Sequence, residues 1–158
     1  MEHRVRVVDP AQMIEPLLDL LDEAQAVPLV ISGGSMSPFL INGRDTVYLS
    51  KISRPLRKGD MVLYRRAGGA YVLHRIFKVE DGSYTMVGDA QTYLESGIRP
   101  DQICAIVTAA YRKDKLLQKG SFWWDFFEIV WIRLVPLRPA LKNMYSFVKQ
   151  LLGNKGAI

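Results

Sequence analysis

Cysteine and histidine are nearly absent from this 158-residue chain. A single cysteine, Cys104, excludes an internal disulfide framework and a cysteine-built zinc site. It sits in the apolar run Ile103-Cys104-Ala105-Ile106-Val107, where buried filler is the expected role. Two histidines, His3 and His74, leave little for a metal, so no metal and no cofactor is expected. Long apolar runs are missing as well. Nothing reaches the ~20 residues of a spanning helix, because Asp125, Glu128 and Arg133 break the stretch from Phe122 to Leu137. No apolar run follows Met1-Glu2-His3-Arg4-Val5-Arg6, so no secretory leader is read there. The expected location is cytoplasmic, with a peripheral place on the membrane left open. The net charge of +5 comes without a nucleic-acid motif, which excludes nucleic acid as the expected partner and turns attention to anionic lipid.

What is present describes a globular chain, 49% hydrophobic and 23% charged, with neither repeats nor low-complexity segments. Residues 1–26 read as an arm and an amphipathic helix. Asp9 caps it, Pro10 opens it, Met13, Ile14, Leu17, Leu18 and Leu21 form its apolar face, and Pro16 interrupts it. Residues 27–112 read as strands: Val27 to Ile31, Thr46 to Leu49, Met61 to Tyr64, Tyr71 to Val79, Tyr84 to Val87 and Ile103 to Tyr111. Turn signals at Asn42-Gly43, Lys58-Gly59-Asp60, Ala67-Gly68-Gly69 and Asp81-Gly82 separate them. The expected class is therefore mainly β, a partly closed antiparallel structure.

Residues 113–158 form an aromatic and basic segment. Phe122 to Trp131 holds three tryptophans and three phenylalanines in ten residues, with Ser121, Asp125 and Glu128 on a narrow polar stripe if the stretch is a helix. A second helix, Ala140 to Leu152, sets Leu141, Tyr145, Val148 and Leu152 against Lys142 and Lys149. The span Phe122–Leu152 either packs on protein or lies in a membrane interface, with Arg133, Arg138, Lys142, Lys149 and Lys155 toward anionic lipid.

Chemistry centres on Val30-Ile31-Ser32-Gly33-Gly34-Ser35-Met36-Ser37-Pro38-Phe39-Leu40, where paired glycines and a proline build a bend that presents Ser35. A serine hydroxyl attacks only when a neighbouring base takes its proton. His74, in Tyr71-Val72-Leu73-His74-Arg75-Ile76-Phe77, shares a strand face with Val72 and Ile76. Burial there keeps the ring neutral, with a pKa at or below the ordinary 6 to 7 or so. A carboxylate to orient the ring is available in Gly88-Asp89-Ala90-Gln91 or at Glu95.

Four boxes, Ser35-Met36-Ser37-Pro38, Gly59-Asp60-Met61-Val62-Leu63-Tyr64, Val72-Leu73-His74-Arg75-Ile76 and Gly88-Asp89-Ala90-Gln91, stand in the order found in signal peptidase I and its LexA-like relatives. The His74-Arg75 pair resembles the Ser-His branch of that superfamily, the endoplasmic-reticulum and archaeal type, where most bacterial members carry lysine. The resemblance implies a mainly β fold of that type. It also implies a serine endopeptidase that cleaves a leader or signal-type peptide after a small residue, with the substrate lying as an added strand. Ser35 would be the nucleophile, His74 the base and Asp89 the third member. Asp89 is favoured over Glu95 because Gly-Asp is intact where the later acidic pair of the branch is not. Gly33 stands where some members offer a hydroxyl, so backbone amides such as that of Ser35 would serve the oxyanion, with Gly33, Gly34, Met36 and Pro38 as oxyanion or substrate-binding positions. A self-cleaving LexA-like regulator and a catalytically silent binding module are the alternatives.

Overall fold

The computed structural model describes residues 10–153. The Asp9 cap and Lys155 lie outside them. Helix α1 spans Pro10–Leu20 with Pro16 inside it, ending earlier than its apolar periodicity extends. The strands are β1 Val27–Val30, β2 Thr46–Ser50, β3 Met61–Arg65, β4 Tyr71–Glu80, β5 Ser83–Val87, β6 Glu95–Ile98, β7 Ile103–Arg112 and β8 Lys115–Gln118. They form one eight-stranded antiparallel sheet in the order β1-β2-β7-β3-β4-β5-β6, with β8 added on β7. The mainly antiparallel β class holds. The sheet is open rather than partly closed, and it carries two strands, β6 and β8, that the sequence pattern does not announce. Both are four residues long, too short for a period-two signal to stand out.

Strand β7 is the axis. Along one edge it pairs with β2; along the other it pairs first with β3 and then with β8. Strand β3 alternates between the two faces of the sheet, Met61 and Leu63 entering one core and Val62 and Tyr64 the other. Both faces are thus covered, which is why β3 reads as a continuous apolar run. The first core also takes Ile14 and Leu21 from the N-terminal part and Trp124 and Phe127 from the C-terminal part.

The aromatic segment is one helical run in changing forms. It starts as α2, Phe122–Asp125, widens to a π-helix over Phe126–Val130 and tightens to a 3₁₀-helix over Trp131–Leu137. Helix α3, Arg138–Gly153, completes it. Asp125 and Glu128 do not form a solvated stripe. Asp125 accepts from the Gly120 amide at 3.0 Å, and Glu128 accepts from the Trp124 indole at 2.8 Å.

Gly59 is where this run meets the turn before β3. Its φ is +95°, and a Cβ there would lie 2.7 Å from the Glu128 carbonyl oxygen. Gly59→Ala is therefore expected to lower stability by ~2–4 kcal/mol, combining left-handed strain with a backbone clash. Chemical denaturation measures it; a loss under ~0.5 kcal/mol would show that the run does not press on this turn.

Candidate active site

The serine bend hangs on apolar anchors. Beyond β1, Gly33 takes φ +84° and donates its amide to Asn42 Oδ1 at 3.2 Å. Ser37 then donates to the Gly34 carbonyl and Leu40 to that of Met36, closing tight turns. Met36, Phe39 and Leu40 are buried, while Ser32 to Gly34 are exposed and Ser35 is half-buried between them. Phe39 packs 4.9 Å from the Phe127 ring, and Arg75 lies over its face. The bend is thereby fixed from below and presents Ser35 above.

Ser35 opens onto a cleft of about 370 Å³ between β1 and the first half of β4, lined by Leu29 to Gly33 on one side and Tyr71 to His74 on the other. Ile14 of α1 and Tyr93 also border it. Ser35, Gly33, Met36 and His74 all face this cleft. Pro38 does not: with Ser37, Asp89 and Ala90 it lines a separate cavity on the far side of the bend. Pro38, expected from the sequence to be an oxyanion or substrate-binding position, is thus not among the residues that line the cleft. Gly34 is exposed beside Ser35.

His74 is 1% exposed. Its Nδ1 lies 3.1 Å from the Tyr64 hydroxyl, which donates its own proton to Glu95 Oε2 at 2.9 Å. That hydroxyl has only lone pairs left to offer the ring, so Nδ1 carries the N–H and Nε2 the free lone pair. Nε2 has no hydrogen-bond partner among the described residues. Burial pulls the His74 pKa down to about 4, below the range expected from the sequence; the Glu95 charge opposes this, and Arg66 adds to it. Glu95 in turn takes 2.8 Å hydrogen bonding from Arg66 Nε, which holds its carboxyl below the ordinary value. Tyr64, buried and facing Glu95, is held far above the ordinary phenol value.

Asp89 stands elsewhere. Its carboxylate accepts from Arg75 Nε at 3.0 and 3.1 Å, and both side chains are fully buried. The expectation that Asp89 orients His74 is corrected: the side chain of Arg75, on the opposite face of β4 from His74, takes it. Glu95, reached through Tyr64, is the carboxylate linked to the ring. Burial pushes the Asp89 pKa up against the pull of Arg75. The Gly88-Asp89-Ala90 loop still meets Ser35 through its backbone. Ala90 donates its amide to the Ser35 carbonyl at 2.9 Å, and a Cβ on Gly88 would sit 2.5 Å from that same oxygen.

A family model described as Peptidase S24-like matches residues 7–110, well over half of the chain. The chain belongs to the Peptidase S24-like family. That family lies in the LexA and signal peptidase I-like serine peptidase superfamily. No curated protein and no solved structure matches this S24-like chain. The matched span holds the serine bend, the cleft walls, His74 and Glu95, and stops before the aromatic run. Among the described residues, no three His, Cys, Asp or Glu side chains gather as a metal site.

Tyr64 and Arg66 have no role in the sequence reading of this S24-like site. A signal existed for Tyr64. It is in phase with Val62 on β3, and the Arg66–Ala70 turn pairs Val62 with His74 and Tyr64 with Val72. That register makes Tyr64 the diagonal neighbour of His74.

The His74 pKa also couples to stability. Its folded value is depressed from 6.5 to about 4, so the neutral ring stabilises the fold above pH 6.5 and this contribution is lost as pH falls toward 4. At full burial the loss amounts to ~3 kcal/mol. Denaturation at pH 7 and pH 4.5 should show this extra loss in the wild type and not in His74→Gln. Equal losses in the two would place the ring in contact with solvent.

Proposed function

We propose that this chain is a serine endopeptidase that works through a Ser35-His74 pair, with Tyr64 and Glu95 supporting the base. The observation that carries the reading is that His74, whose Nε2 has no hydrogen-bond partner among the described residues, lines the same cleft as Ser35. Ser35 Oγ attacks the peptide carbonyl carbon while Nε2 takes its proton. The imidazolium donates Nδ1–H to Tyr64, whose hydroxyl donates to Glu95, so the new positive charge meets a carboxylate two hydrogen bonds away. The tetrahedral oxyanion collapses, Nε2 gives its proton to the leaving amine, and an ester to Ser35 remains. Water repeats the cycle and releases the acid. Catalytic hydrogen bonds often close only when substrate is bound.

The cleft supports an extended peptide as the substrate. The outer edge of β1 and the β5-side edge of Tyr71 to His74 face it; the other edge of β4 pairs with β3, and among the described residues neither cleft edge carries a sheet partner there. A strand laid between them gains backbone hydrogen bonds from both sides. A small residue before the scissile bond and a leader-type substrate follow from the likeness to the Ser-His signal peptidase branch.

Ser35→Ala and His74→Ala are each expected to cut kcat/KM by ~10⁴-fold or more, and Ser35→Ala to abolish labelling by a fluorophosphonate probe. Tyr64→Phe and Glu95→Gln should each cost ~10- to 100-fold in kcat. Asp89→Asn should act mainly on stability, by ~3–5 kcal/mol, because it leaves Arg75 buried and unpaired. A wild type that is never labelled would make the fold a silent module. A larger kcat loss in folded Asp89→Asn than in Glu95→Gln would restore Asp89 as the third member.

The working place in this reading is a membrane surface. Phe122 is 73% exposed and Trp123 49%, and Ile129, Val130 and Leu137 are exposed along the same run. Among the described residues, no helix is long and apolar enough to cross a bilayer. Aromatic side chains at headgroup depth, beside the exposed Lys119 and Arg133, fit an anionic interface. The protein should float with anionic vesicles and less so at high salt, and Trp123→Glu should weaken binding by ~10-fold or more. Elution as a dimer that Trp123→Glu splits, with no flotation, would make this face a protein interface.

A further inference from the structure

The C-terminal run packs Phe127 against Phe39 of the bend, and it reaches the Ser35 backbone through an intermediary, the 88–91 loop. Arg138 is 2% exposed. Its Nη1 donates at 2.8 Å to both the Gly88 and the Gln91 carbonyl, and its Nη2 at 3.1 Å to that of Trp131. The guanidinium lies 5.0 Å from the centre of the Trp131 ring. The Trp131 indole donates to the Asp89 carbonyl at 2.8 Å. Three carbonyls of one four-residue loop are therefore held by side chains of the run. The same loop donates the Ala90 amide to the Ser35 carbonyl and presses Gly88 against that oxygen.

We propose that Arg138 and Trp131 are positioning residues for the nucleophile, holding the Gly88–Gln91 loop so that its backbone fixes Ser35. This rests on Ser35 being the nucleophile. The physical reasoning is one of freedom removed. A glycine-containing loop on the surface samples many conformations, and the Ser35 carbonyl would move with it. A planar guanidinium forks onto two carbonyls and removes that freedom in a way an ammonium does not match. A displacement of even an ångström at a nucleophile costs on the order of 100-fold in rate. Arg75 holds the loop by its Asp89 side chain from the sheet side, and Arg138 and Trp131 hold it by its backbone from the other. Neither Arg138 nor Trp131 lines the cleft, so neither touches the peptide.

The test compares wild type with Arg138→Ala, Arg138→Lys and Trp131→Phe, the last keeping an aromatic ring but no indole N–H. Amide exchange at Ala90 reports the clamp without any catalysis, with Leu63 in the central strand as the control. Exchange at Ala90 should rise by ~10-fold or more while that at Leu63 holds. On a peptide substrate kcat should fall by ~10- to 100-fold in Arg138→Ala and less in Arg138→Lys and Trp131→Phe, with KM unchanged. Unchanged Ala90 exchange in folded Trp131→Phe and Arg138→Lys overturns the clamp. Faster exchange with full kcat overturns its catalytic role, and a rise in KM alone assigns the run to substrate binding instead. If Arg138→Ala loses protection everywhere, the other two variants decide. A wild type that neither cleaves nor takes a serine-directed probe refutes the peptidase reading, and Ala90 exchange then still tests the clamp.

Discussion

The fully buried Arg75–Asp89 pair is the interaction on which the arrangement turns. Two charges taken from water cost several kcal/mol each unless geometry and further hydrogen bonds offset the loss. Here Arg75 gives Nε to both Asp89 oxygens and Nη1 to the Gly59 carbonyl at 3.2 Å, and its guanidinium lies over the Phe39 ring. One side chain thus joins β4, the turn before β3, the 88–91 loop and the serine bend. Such a pair adds little net stability compared with an apolar substitute, but it admits one arrangement only, because any other strands a charge. That gives a Gly-Asp signature a structural reason that involves no proton transfer.

The two carboxylates near the site are sorted by their surroundings. Asp89 is sealed against one guanidinium and bonded away from the ring. Glu95 is half-buried, pinned by Arg66 and open to the Tyr64 hydroxyl. The ring itself is buried deeply enough to stay neutral, and its polarity comes from the neighbour on Nδ1. A ring so desolvated binds a proton weakly, and the Glu95 charge, which accepts from the Tyr64 hydroxyl beside the ring, offsets part of that loss.

The sequence makes one part of this legible and hides another. Strand-favouring runs in Met61–Arg65 and Tyr71–Glu80 and the Ala67-Gly68-Gly69 turn locate the central hairpin. The glycine pair and Pro38 locate the bend. The partner of Asp89 stays hidden because Arg75 is adjacent to His74, and adjacent residues on a strand point to opposite faces. The same alternation that places His74 with Val72 and Ile76 sends Arg75 to the other side, where Asp89 waits. Glu95 is legible only as the alternative carboxylate, because β6 is four residues long and its register with β5 is irregular, so no pattern predicts its reach to Tyr64.

The aromatic run shows why a uniform helix fails as a reading of that stretch. The side chains that must face the sheet and the loop are Trp124, Phe127, Ile132, Val135 and Arg138, all buried. Their spacings are three, five, three and three residues. An α-helix turns about 100° per residue, so Ile132 and Arg138 would lie about 120° apart and Arg138 could not follow Ile132 inward. A 3₁₀-helix repeats every three residues and eclipses positions i and i+3, which stacks Ile132, Val135 and Arg138 in one column. The wider π turn over Phe126–Val130 absorbs the five-residue step from Phe127 to Ile132. Both forms have poorer hydrogen-bond geometry than an α-helix. Burying Trp124, Phe127, Ile132 and Val135 offsets that, at roughly 1.5–3 kcal/mol for each large apolar side chain. The departure from regular helix thus follows from delivering one guanidinium to the Gly88 and Gln91 carbonyls. The same turns leave Phe122, Trp123, Ile129 and Val130 on the outside, because a run phased to bury one column must expose the rest.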